Sequence, residues 1–486
     1  MEHYKQNKIL FIIVVICILS RIPQLISDNL LLDGDECVLA IMAKHIYTWR
    51  DFPLFYYGQT YGFSIVECLF IIPFYFITGF TTISVKLGML LLWTTGVLFL
   101  YKLFIRINKG YRWLPLLLIL VFIWSPAWAV WSMKARGGYL TSFTLTSIVL
   151  NVLFGENRSY KTFFLSGVLC FFIYQSQPLW IPGLLPFLFY FLIKEKKVLP
   201  LLYFVLPVLI LSVLFYFYKQ DIIQFGTIPY YLPKGEIVIR LCRIPNFLYY
   251  SLHGNYYFHD IQQPNLFCAF YAIAITILVF SLPLIAAYNV VTRRKGTYLF
   301  NISTLSILFS LACTILCIYY EPRYLLPVSG YAFISLILLL NYAGIGRNIL
   351  KISAFVFITA GIISLITFYD FKFSPIREKS LHKALGYLIE KRVNYAYTDN
   401  NLFTWQVIFY SNEKVVCRER QLPGRYQKYF REVDSAFYNG AKVGYIVPPM
   451  NELDIKFPNF TNIDGYLILI DPPKDKIAEN FPKTTR

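Results

Sequence analysis

The sequence predicts a polytopic α-helical membrane protein that carries a small C-terminal α/β lobe. Of its 486 residues, 57% are hydrophobic and only 15% are charged, and the mean hydropathy is +0.54. Long apolar runs alternate with short basic loops up to about residue 370, after which the composition becomes mixed. These features exclude an ordinary soluble globular protein.

The net charge of +18 arises mainly from the basic loops. Such loops orient membrane proteins, so we attribute the charge to topology and to contact with anionic lipid, and predict no nucleic-acid partner. The nine cysteines are scattered without metal-ligand spacing, so no metal site or disulfide framework is predicted. Cys37 and Cys68 lie on the same side in the predicted topology, which allows a disulfide between them, but buried free thiols are the commoner state.

The first apolar segment, residues 9–27, is nearly long enough for one crossing and follows two lysines. No small-residue cleavage site is evident, so we expect a retained first span and a cytoplasmic N-terminus. The first outer loop, 28–63, contains the acidic run 31–36, a predicted helix over 36–48 and an aromatic run over 52–62. Aromatic side chains of this kind suit a membrane interface.

Eleven further apolar segments lie at about 64–80, 83–105, 113–131, 139–154, 162–177, 179–193, 198–218, 265–290, 297–319, 325–343 and 350–369. The basic loops and the N-terminus all belong in the cytoplasm, yet three apolar segments separate Lys8 from Arg106. Since an odd number cannot return the chain to its starting side, one of them does not cross. Segment 64–80 is short and contains Glu67 and Pro73, so we predict an interfacial or re-entrant helix there. About eleven crossings result, with the C-terminal lobe outside the cell.

This topology places several polar segments in one compartment. The acidic loop, residues 133–139, residues 174–178, the long loop 219–264 and residues 321–324 all fall on the outer side. We divide the chain into a membrane part, residues 1–370, and a lobe, residues 371–486. In the lobe, helices are predicted at 376–392 and 402–410 and strands at 393–397, 414–417 and 442–447.

The acidic run places Asp33, Asp35 and Glu36 at a predicted membrane boundary. Ionisable groups are costly there, which indicates a functional site. A structural role also fits, with Asp35 as the N-cap of the following helix and Glu36 in its first turn, and the two roles are compatible. Asp33 is expected to be a loop residue.

Outward-facing cations form the second group of candidates. Lys134 and Arg136 precede Gly137 and Gly138, and cations on the outer side run against the charge bias of membrane proteins. Arg323 follows Glu321 at another outer boundary, where an ion pair at a helix end is an equally simple explanation.

A lipid-anchored phosphate ester needs its tail in the bilayer and its phosphate held by Arg or Lys. It also needs a carboxylate to take a proton from the attacking acceptor hydroxyl. The outer face of this protein offers both kinds of group.

Four segments in succession resemble bacterial GT-C membrane glycosyltransferases, which include protein O-mannosyltransferases and aminoarabinose transferases of lipid A. These segments are Asp33-Gly34-Asp35-Glu36, Tyr57-Gly58-Gln59-Thr60-Tyr61-Gly62, Lys134-Ala135-Arg136-Gly137-Gly138-Tyr139 and Arg323-Tyr324-Leu325-Leu326-Pro327. The resemblance covers about residues 9–370 and the extracytoplasmic lobe. It implies transfer of a sugar from a polyprenyl-phosphate-linked donor to a lipid, glycan or protein acceptor of the envelope, at the outer face of the bacterial cytoplasmic (inner) membrane.

The resemblance also implies roles for individual residues. Asp35 corresponds to the catalytic carboxylate, with Glu36 beside it, and the donor phosphate falls to Lys134, Arg136 or Arg323. The remaining candidates are substrate-lining residues: Tyr57, Gln59, Glu67, Tyr139 and Tyr324. Glu67 fits either a second carboxylate or a snorkelling acid. The sequence departs from the aminoarabinose transferases in having Gln59, and no cation, where they carry a lysine.

No cofactor is required, although some GT-C enzymes use a divalent metal. His253 and His259, with Asp260, fit a metal site less well than ordinary surface positions. Two other functions fit the same charges: a transporter or flippase of lipid-linked glycans, and a non-catalytic scaffold. Because the spans between 83 and 369 have few ionisable residues at their centres, an enzyme at the membrane face is favoured.

Overall fold

A computed structural model describes residues 2–26, 30–195, 198–220, 236–253, 265–317, 321–367, 378–420, 424–449 and 460–473. It consists of a helical bundle and a lobe built on a small sheet. The bundle helices are α1 (Glu2–Leu19), α2 (Ile22–Leu25), α3 (Gly34–Tyr47), α4 (Ile65–Thr78), α5 (Thr82–Ile107), α6 (Leu114–Ile123), α7 (Pro126–Trp131), α8 (Tyr139–Leu153), α9 (Tyr160–Ser176), α10 (Ile181–Glu195), α11 (Leu199–Gln220), α12 (Glu236–His253), α13 (Leu266–Val291), α14 (Tyr298–Leu316), α15 (Leu326–Leu340) and α16 (Arg347–Thr367).

Eight helical stretches in the described residues are long and apolar enough to cross a membrane, and each matches a predicted crossing. The protein is therefore a multi-pass membrane protein. The other three predicted crossings, 113–131, 139–154 and 162–177, correspond to shorter helices, so the count of eleven stays a prediction. Helix α4 has 14 residues, about 21 Å of helix against a hydrocarbon core of about 30 Å.

Two predicted segments differ from the structure. Segment 113–131 is not one helix, because Pro126 lacks the N–H that would continue α6, and the chain restarts as α7. The predicted long loop 219–264 contains helix α12, an amphipathic helix that was not predicted. The rest of that loop, apart from residues 219 and 220, lies outside the described residues.

The break between α6 and α7 is held by a buried arginine. Arg21, at the junction of α1 and α2, has no exposed surface. Its guanidinium donates to the Ser132 hydroxyl at 2.7 Å and to the Ile123 carbonyl at 2.8 Å, and it lies over the Trp93 ring at 4.8 Å. It thus satisfies a carbonyl that the end of α6 leaves without an intrahelical partner.

Close helix crossings in the bundle use glycine. A Cβ on Gly88 of α5 would lie 2.6 Å from the Cα of Ile71 in α4, and one on Gly167 of α9 would lie 2.2 Å from the Phe204 carbonyl of α11. Small residues let helix backbones approach where lipid provides little hydrophobic driving force. Cys37 and Cys68 are buried in this packing as separate free thiols.

The lobe is an α/β unit with a mixed sheet. Its helices are α17 (Glu378–Glu390), α18 (Asn401–Tyr410) and α19 (Gln427–Tyr438), and its strands are β1 (Tyr395–Thr398), β2 (Val416–Glu419), β3 (Val443–Val447), β4 (Thr461–Ile463) and β5 (Tyr466–Ile470). The strand order is β2-β1-β3-β5-β4, with β2, β1 and β3 parallel and β5 antiparallel to both neighbours. All five predicted lobe elements are present, whereas α19, β4 and β5 were not predicted. The predicted boundary at residue 370 lies outside the described residues.

Helix α3 of the first loop lies between the bundle and the lobe. It packs against α4 on one side and α18 on the other, and twelve of its 14 residues are buried. At its first residue, a Cβ on Gly34 would lie 2.2 Å from the Leu402 carbonyl oxygen of α18. The two helices therefore meet backbone to backbone at this point.

Replacing Gly34 with alanine should loosen this contact. Overpacking a tight site costs about 1–3 kcal/mol, so Gly34→Ala should lower the thermal unfolding midpoint of the detergent-purified protein. Gly386→Ala is the matched control: Gly386 lies within α17 with nothing within 4 Å of an added Cβ, and alanine there should stabilise by about 0.5–1 kcal/mol. Equal midpoints for the two variants would contradict the close contact.

Candidate functional site

Asp33 starts helix α3. Its Oδ1 accepts the Glu36 backbone N–H at 2.8 Å, and the Glu36 carboxylate accepts the Asp33 backbone N–H at 3.2 Å. This reciprocal pair is a capping box. The prediction that Asp35 caps the helix was wrong, because the helix begins at Gly34 and not at residue 36, and Asp33, the loop residue just before it, is the cap.

Glu36 is fully buried and accepts from four donors. Its Oε1 lies 2.5 Å from Lys86 Nζ and 3.1 Å from the backbone N of Ala135. Its Oε2 lies 3.3 Å from Lys134 Nζ and also accepts the Asp33 N–H. Because each oxygen is occupied and none of the side chain faces solvent, Glu36 holds three segments together. It also lines the cavity described below.

Asp33 also faces two cations. Its Oδ2 lies 2.7 Å from Lys134 Nζ and 3.3 Å from Arg136 Nη1. Burial opposes ionisation of this carboxyl, but the neighbouring ammonium and guanidinium outweigh it and hold the pKa of Asp33 well below its ordinary value. About a third of the side chain remains exposed, at 35%.

Asp35 lies between two guanidinium groups. Arg136 Nη2 is 2.8 Å from its Oδ2, and Arg425 Nη2, from the lobe, is 3.1 Å from its Oδ1. The Tyr56 hydroxyl is 2.6 Å from the Asp35 carbonyl and 3.2 Å from Oδ1. This carboxylate is 14% exposed, so it is oriented on both sides while keeping some access.

A cavity of about 360 Å³ lies beside this cluster, at the junction of bundle and lobe. Its charged lining consists of Asp33, Glu36, Lys86, Lys134 and Arg136. Its apolar lining comes from both sides: Leu30, Leu31, Leu32, Ala129, Val130, Met133, Leu402, Phe403, Pro448 and Pro449. The cavity can therefore take a ligand with an anionic group and an apolar group.

Several predicted substrate residues support the site from outside the cavity lining that the structure describes. Glu67 is buried, and its Oε1 accepts the Gly138 N–H at 2.9 Å, which fixes the loop that carries Lys134 and Arg136. Tyr139 packs on Trp131 with ring centroids 4.7 Å apart. Tyr57 bonds to His45, as described below, and the backbone N–H of Gln59 closes a turn on the Tyr56 carbonyl at 3.0 Å.

Arg323 and Tyr324 are not among the described residues that line the cavity. Arg323 Nε lies 2.7 Å from Glu321, and its guanidinium lies 5.4 Å from the centre of the Tyr324 ring. The segment forms a short 3-10 turn, Pro322–Leu325, that packs against α12, α14 and α15. The alternative considered from the sequence, an ion pair at a helix end, describes this geometry.

Two cations of the cluster were missed from the sequence. Lys86 lies one turn inside the apolar helix α5, and an ammonium at that position is itself a sign of function or of a buried partner. Arg425 lies 390 residues from Asp35, and the local sequence around it gives no such sign.

A second polar cluster fastens the lobe to the first loop. Glu413 of the lobe lies 2.5 Å from Lys44 Nζ, 2.6 Å from Arg50 Nη1 and 3.2 Å from His45 Nε2. His45 is buried, and its two ring nitrogens lie 2.7 Å from the Tyr57 hydroxyl and 2.9 Å from the Tyr429 hydroxyl. We call Lys44, His45, Arg50 and Glu413 the lobe latch.

Further contacts fix the chain just before α3. The Leu32 N–H donates to the Tyr410 hydroxyl at 2.8 Å, and the Leu32 carbonyl accepts from Gln406 Nε2 at 2.7 Å. Both polar groups of the Leu32 backbone are therefore paired with α18. The acidic run is thus held at one end by the lobe and at the other by its own capping box.

Among the described residues, no three His, Cys, Asp or Glu side chains are grouped so as to hold a metal ion. His253 ends helix α12 and is buried, so its predicted place on a surface loop was wrong. His259 and Asp260 lie outside the described residues.

The chain has the GT-C fold. It matches the crystal structure of ArnT, an aminoarabinose transferase, from Cupriavidus metallidurans in the apo state, with a TM-score of 0.58, 12% identity and 98% of each chain covered. The structure of that ArnT bound to undecaprenyl phosphate gives a TM-score of 0.49 and 12% identity over 96% of this chain and 98% of the other. No family model and no curated protein matches the chain. The GT-C-like helical fold expected from the sequence is confirmed, whereas the number of crossings and the side of the membrane on which the lobe lies stay predictions.

The lobe latch should make lobe docking sensitive to acid. Burial alone would raise the pKa of Glu413, but bonds from His45, Lys44 and Tyr429 hold it well below its ordinary value of 4.5. A carboxyl with a depressed pKa gives its full stabilisation above its unfolded pKa and loses it as the pH falls. Thermal stability should therefore decline as the pH drops below 4.5.

Glu413→Gln should remove part of that decline and destabilise the protein at pH 7 by about 2 kcal/mol, since it leaves two cations without their carboxylate. Glu390→Gln on the exposed end of α17 is the control and should change neither quantity. Unfolding midpoints at pH 7 and pH 4 would decide. An unaltered pH dependence in Glu413→Gln would rule out the latch as the acid-sensitive group.

Proposed function

We propose that this chain is a glycosyltransferase that moves a sugar from a polyprenyl-phosphate-linked donor to an acceptor at the outer face of the bacterial cytoplasmic membrane. The observation that carries the proposal is the charged cluster beside a cavity that is partly apolar. A fold shared with ArnT supports it. The acceptor is an envelope lipid, glycan or protein.

The charge balance of the cluster favours an anionic ligand. Three carboxylates, those of Asp33, Asp35 and Glu36, face four cations: Lys86, Lys134, Arg136 and Arg425. One formal positive charge is left over. A phosphate bound in the cavity would neutralise this excess positive charge. The cations would donate charge-assisted hydrogen bonds to its oxygens.

Lys134 and Arg136 are the donor phosphate ligands in this proposal. Both line the cavity, and both already hold a carboxylate oxygen of Asp33, within 2.7 and 3.3 Å. The planar fork of Arg136 can donate two bonds to a phosphate, while Lys134 acts as a compact charge. Ala129, Val130 and Met133 give the neighbouring wall an apolar surface suited to the first isoprene units.

Asp35 is the proposed catalytic carboxylate. As the acceptor oxygen attacks the anomeric carbon, its proton passes to Asp35, and the bond from that carbon to the phosphate oxygen breaks. Polyprenyl phosphate leaves with the electron pair of that bond, and the sugar is transferred with inversion. Arg136, which contacts both Asp33 and Asp35, links the phosphate end of the site to the carboxylate.

Asp35→Asn should reduce transfer by about 10²–10⁴-fold, because general base catalysis is lost while the shape is kept. Asp33→Asn is the matched control: asparagine caps a helix as well as aspartate does, so transfer should fall less than tenfold. The assay is sugar transfer from radiolabelled polyprenyl-phosphate sugars to membrane extracts, with membrane insertion checked for each variant. The opposite order of the two variants would make Asp33 the base.

The same assay separates transfer from transport. A transferase releases polyprenyl phosphate in proportion to the glycosylated acceptor, whereas a transporter moves the donor intact. Labelled sugar that appears only as unbroken donor on the opposite side of proteoliposomes would overturn the proposal.

We also propose that transfer needs no metal ion, because Lys134 and Arg136 already supply positive charge where the phosphate leaves. Activity should be unchanged in excess EDTA. A loss of activity that Mg²⁺ or Mn²⁺ restores would show that a metal shares this role.

A further inference from the structure

The C-terminal lobe contributes a side chain to the charged cluster. Arg425 lies in the loop that follows strand β2, and its Nη2 is 3.1 Å from Asp35 Oδ1. We infer that Arg425 is a positioning residue for transfer, which holds the Asp35 carboxylate in place from the side opposite Arg136. This inference rests on the proposed function, and it makes the lobe a structural part of the active site.

The first loop is shaped to receive Arg425. Gly58 has φ +70°, and a Cβ there would lie 2.9 Å from the Arg425 Cα, so two separate constraints require glycine. The Arg425 guanidinium lies 5.0 Å from the centre of the Tyr56 ring, within the range of a cation–π contact. The Tyr56 hydroxyl in turn bonds to Asp35. Arg425, Tyr56 and Asp35 therefore form one connected unit.

The residue after Arg425 fixes the same segment. The Tyr426 ring packs on the Tyr57 ring with centroids 4.5 Å apart and on His45 of the lobe latch at 5.4 Å. Since Glu413 of the latch is held by three basic side chains of the first loop, the lobe has one fixed position at this edge. The packing of Tyr426 thus fixes the position of the adjacent Arg425 beside Asp35.

The geometry indicates that Arg425 acts by positioning Asp35 and not by binding the sugar donor. Neither Arg425 nor Asp35 is among the described residues that line the cavity, whereas Arg136, which contacts Asp35, lines it. Each guanidinium takes a different carboxylate oxygen, Oδ1 for Arg425 and Oδ2 for Arg136. Loss of Arg425 should leave Asp35 free to turn toward Arg136. Misplacing a reacting group by about 1 Å can cost 10²-fold in rate.

The test compares Arg425→Gln with wild type in the transfer assay. We expect kcat to fall about 10–100-fold, while KM for the donor and for the acceptor stays within about twofold because no substrate contact is lost. Arg431→Gln is the matched control, since Arg431 is an exposed arginine on α19 of the same lobe. It should have wild-type kcat and KM.

Chemical rescue separates positioning from folding. Arg425→Ala opens space for a free guanidinium ion, so added methylguanidinium should restore part of kcat in Arg425→Ala, with no effect on Arg431→Ala. Hydrogen exchange across α3 should remain slow in the Arg425 variants, because the lobe latch and the Leu32 contacts persist.

Three results would overturn the inference: unchanged kcat in Arg425→Gln, a raised donor KM at constant kcat, or a loss of kcat that methylguanidinium does not restore and that accompanies fast exchange in α3. The second would make Arg425 a donor ligand, and the third would make it a folding residue. If wild type transfers no sugar from any donor, the proposed function fails. An active wild type with a fully active Arg425→Gln defeats only this inference.

Discussion

The buried carboxylate of Glu36 is the constraint on which the rest of the site depends. A charge without solvent must be matched, and leaving a buried partner uncompensated costs about 3–5 kcal/mol. Glu36 is matched by Lys86 of α5 and by Lys134 and the Ala135 N–H of the loop before α8. Pairing of the Glu36 carboxylate therefore brings α5 and the loop before α8 together at the first turn of α3. The cavity is the space that their meeting leaves beside the lobe.

Helix geometry divides the three carboxylates among three surroundings. Successive residues of a helix point about 100° apart, so the adjacent acids Asp35 and Glu36 face different sides of the helix. Glu36 points into the bundle, Asp33 lies at the cap and on the cavity, and Asp35 points toward the lobe. A run of four residues thus joins bundle, cavity and lobe. Two cations each contact two of these carboxylates: Arg136 contacts Asp33 and Asp35, and Lys134 contacts Asp33 and Glu36.

The sequence was sufficient for the juxtaposition of the acidic run with Lys134 and Arg136, because counting crossings against the basic loops puts both on one side. The capping box was also readable, since Asp33 has a glutamate three residues later. The partner of Lys86 was harder to predict, because the sequence of an apolar span does not indicate which neighbouring helix each of its side chains faces. Arg425 could not be found, since its contact depends on how the lobe docks. For Arg323 the local ion pair, an alternative seen in the sequence, describes the geometry.

The orientation of the lobe follows from its sheet. Strands β1, β2 and β3 are parallel, so the loops that leave their carboxyl ends lie along one edge. Asn400 follows β1 and Pro448 follows β3, and both line the cavity, while Arg425 follows β2 and reaches Asp35. Open α/β sheets place ligands at this edge because it gathers loops from several strands. The edge of the sheet that is best suited to ligand binding therefore faces the charged cluster. This orientation favours a role for the lobe in binding over a role as an external cap alone.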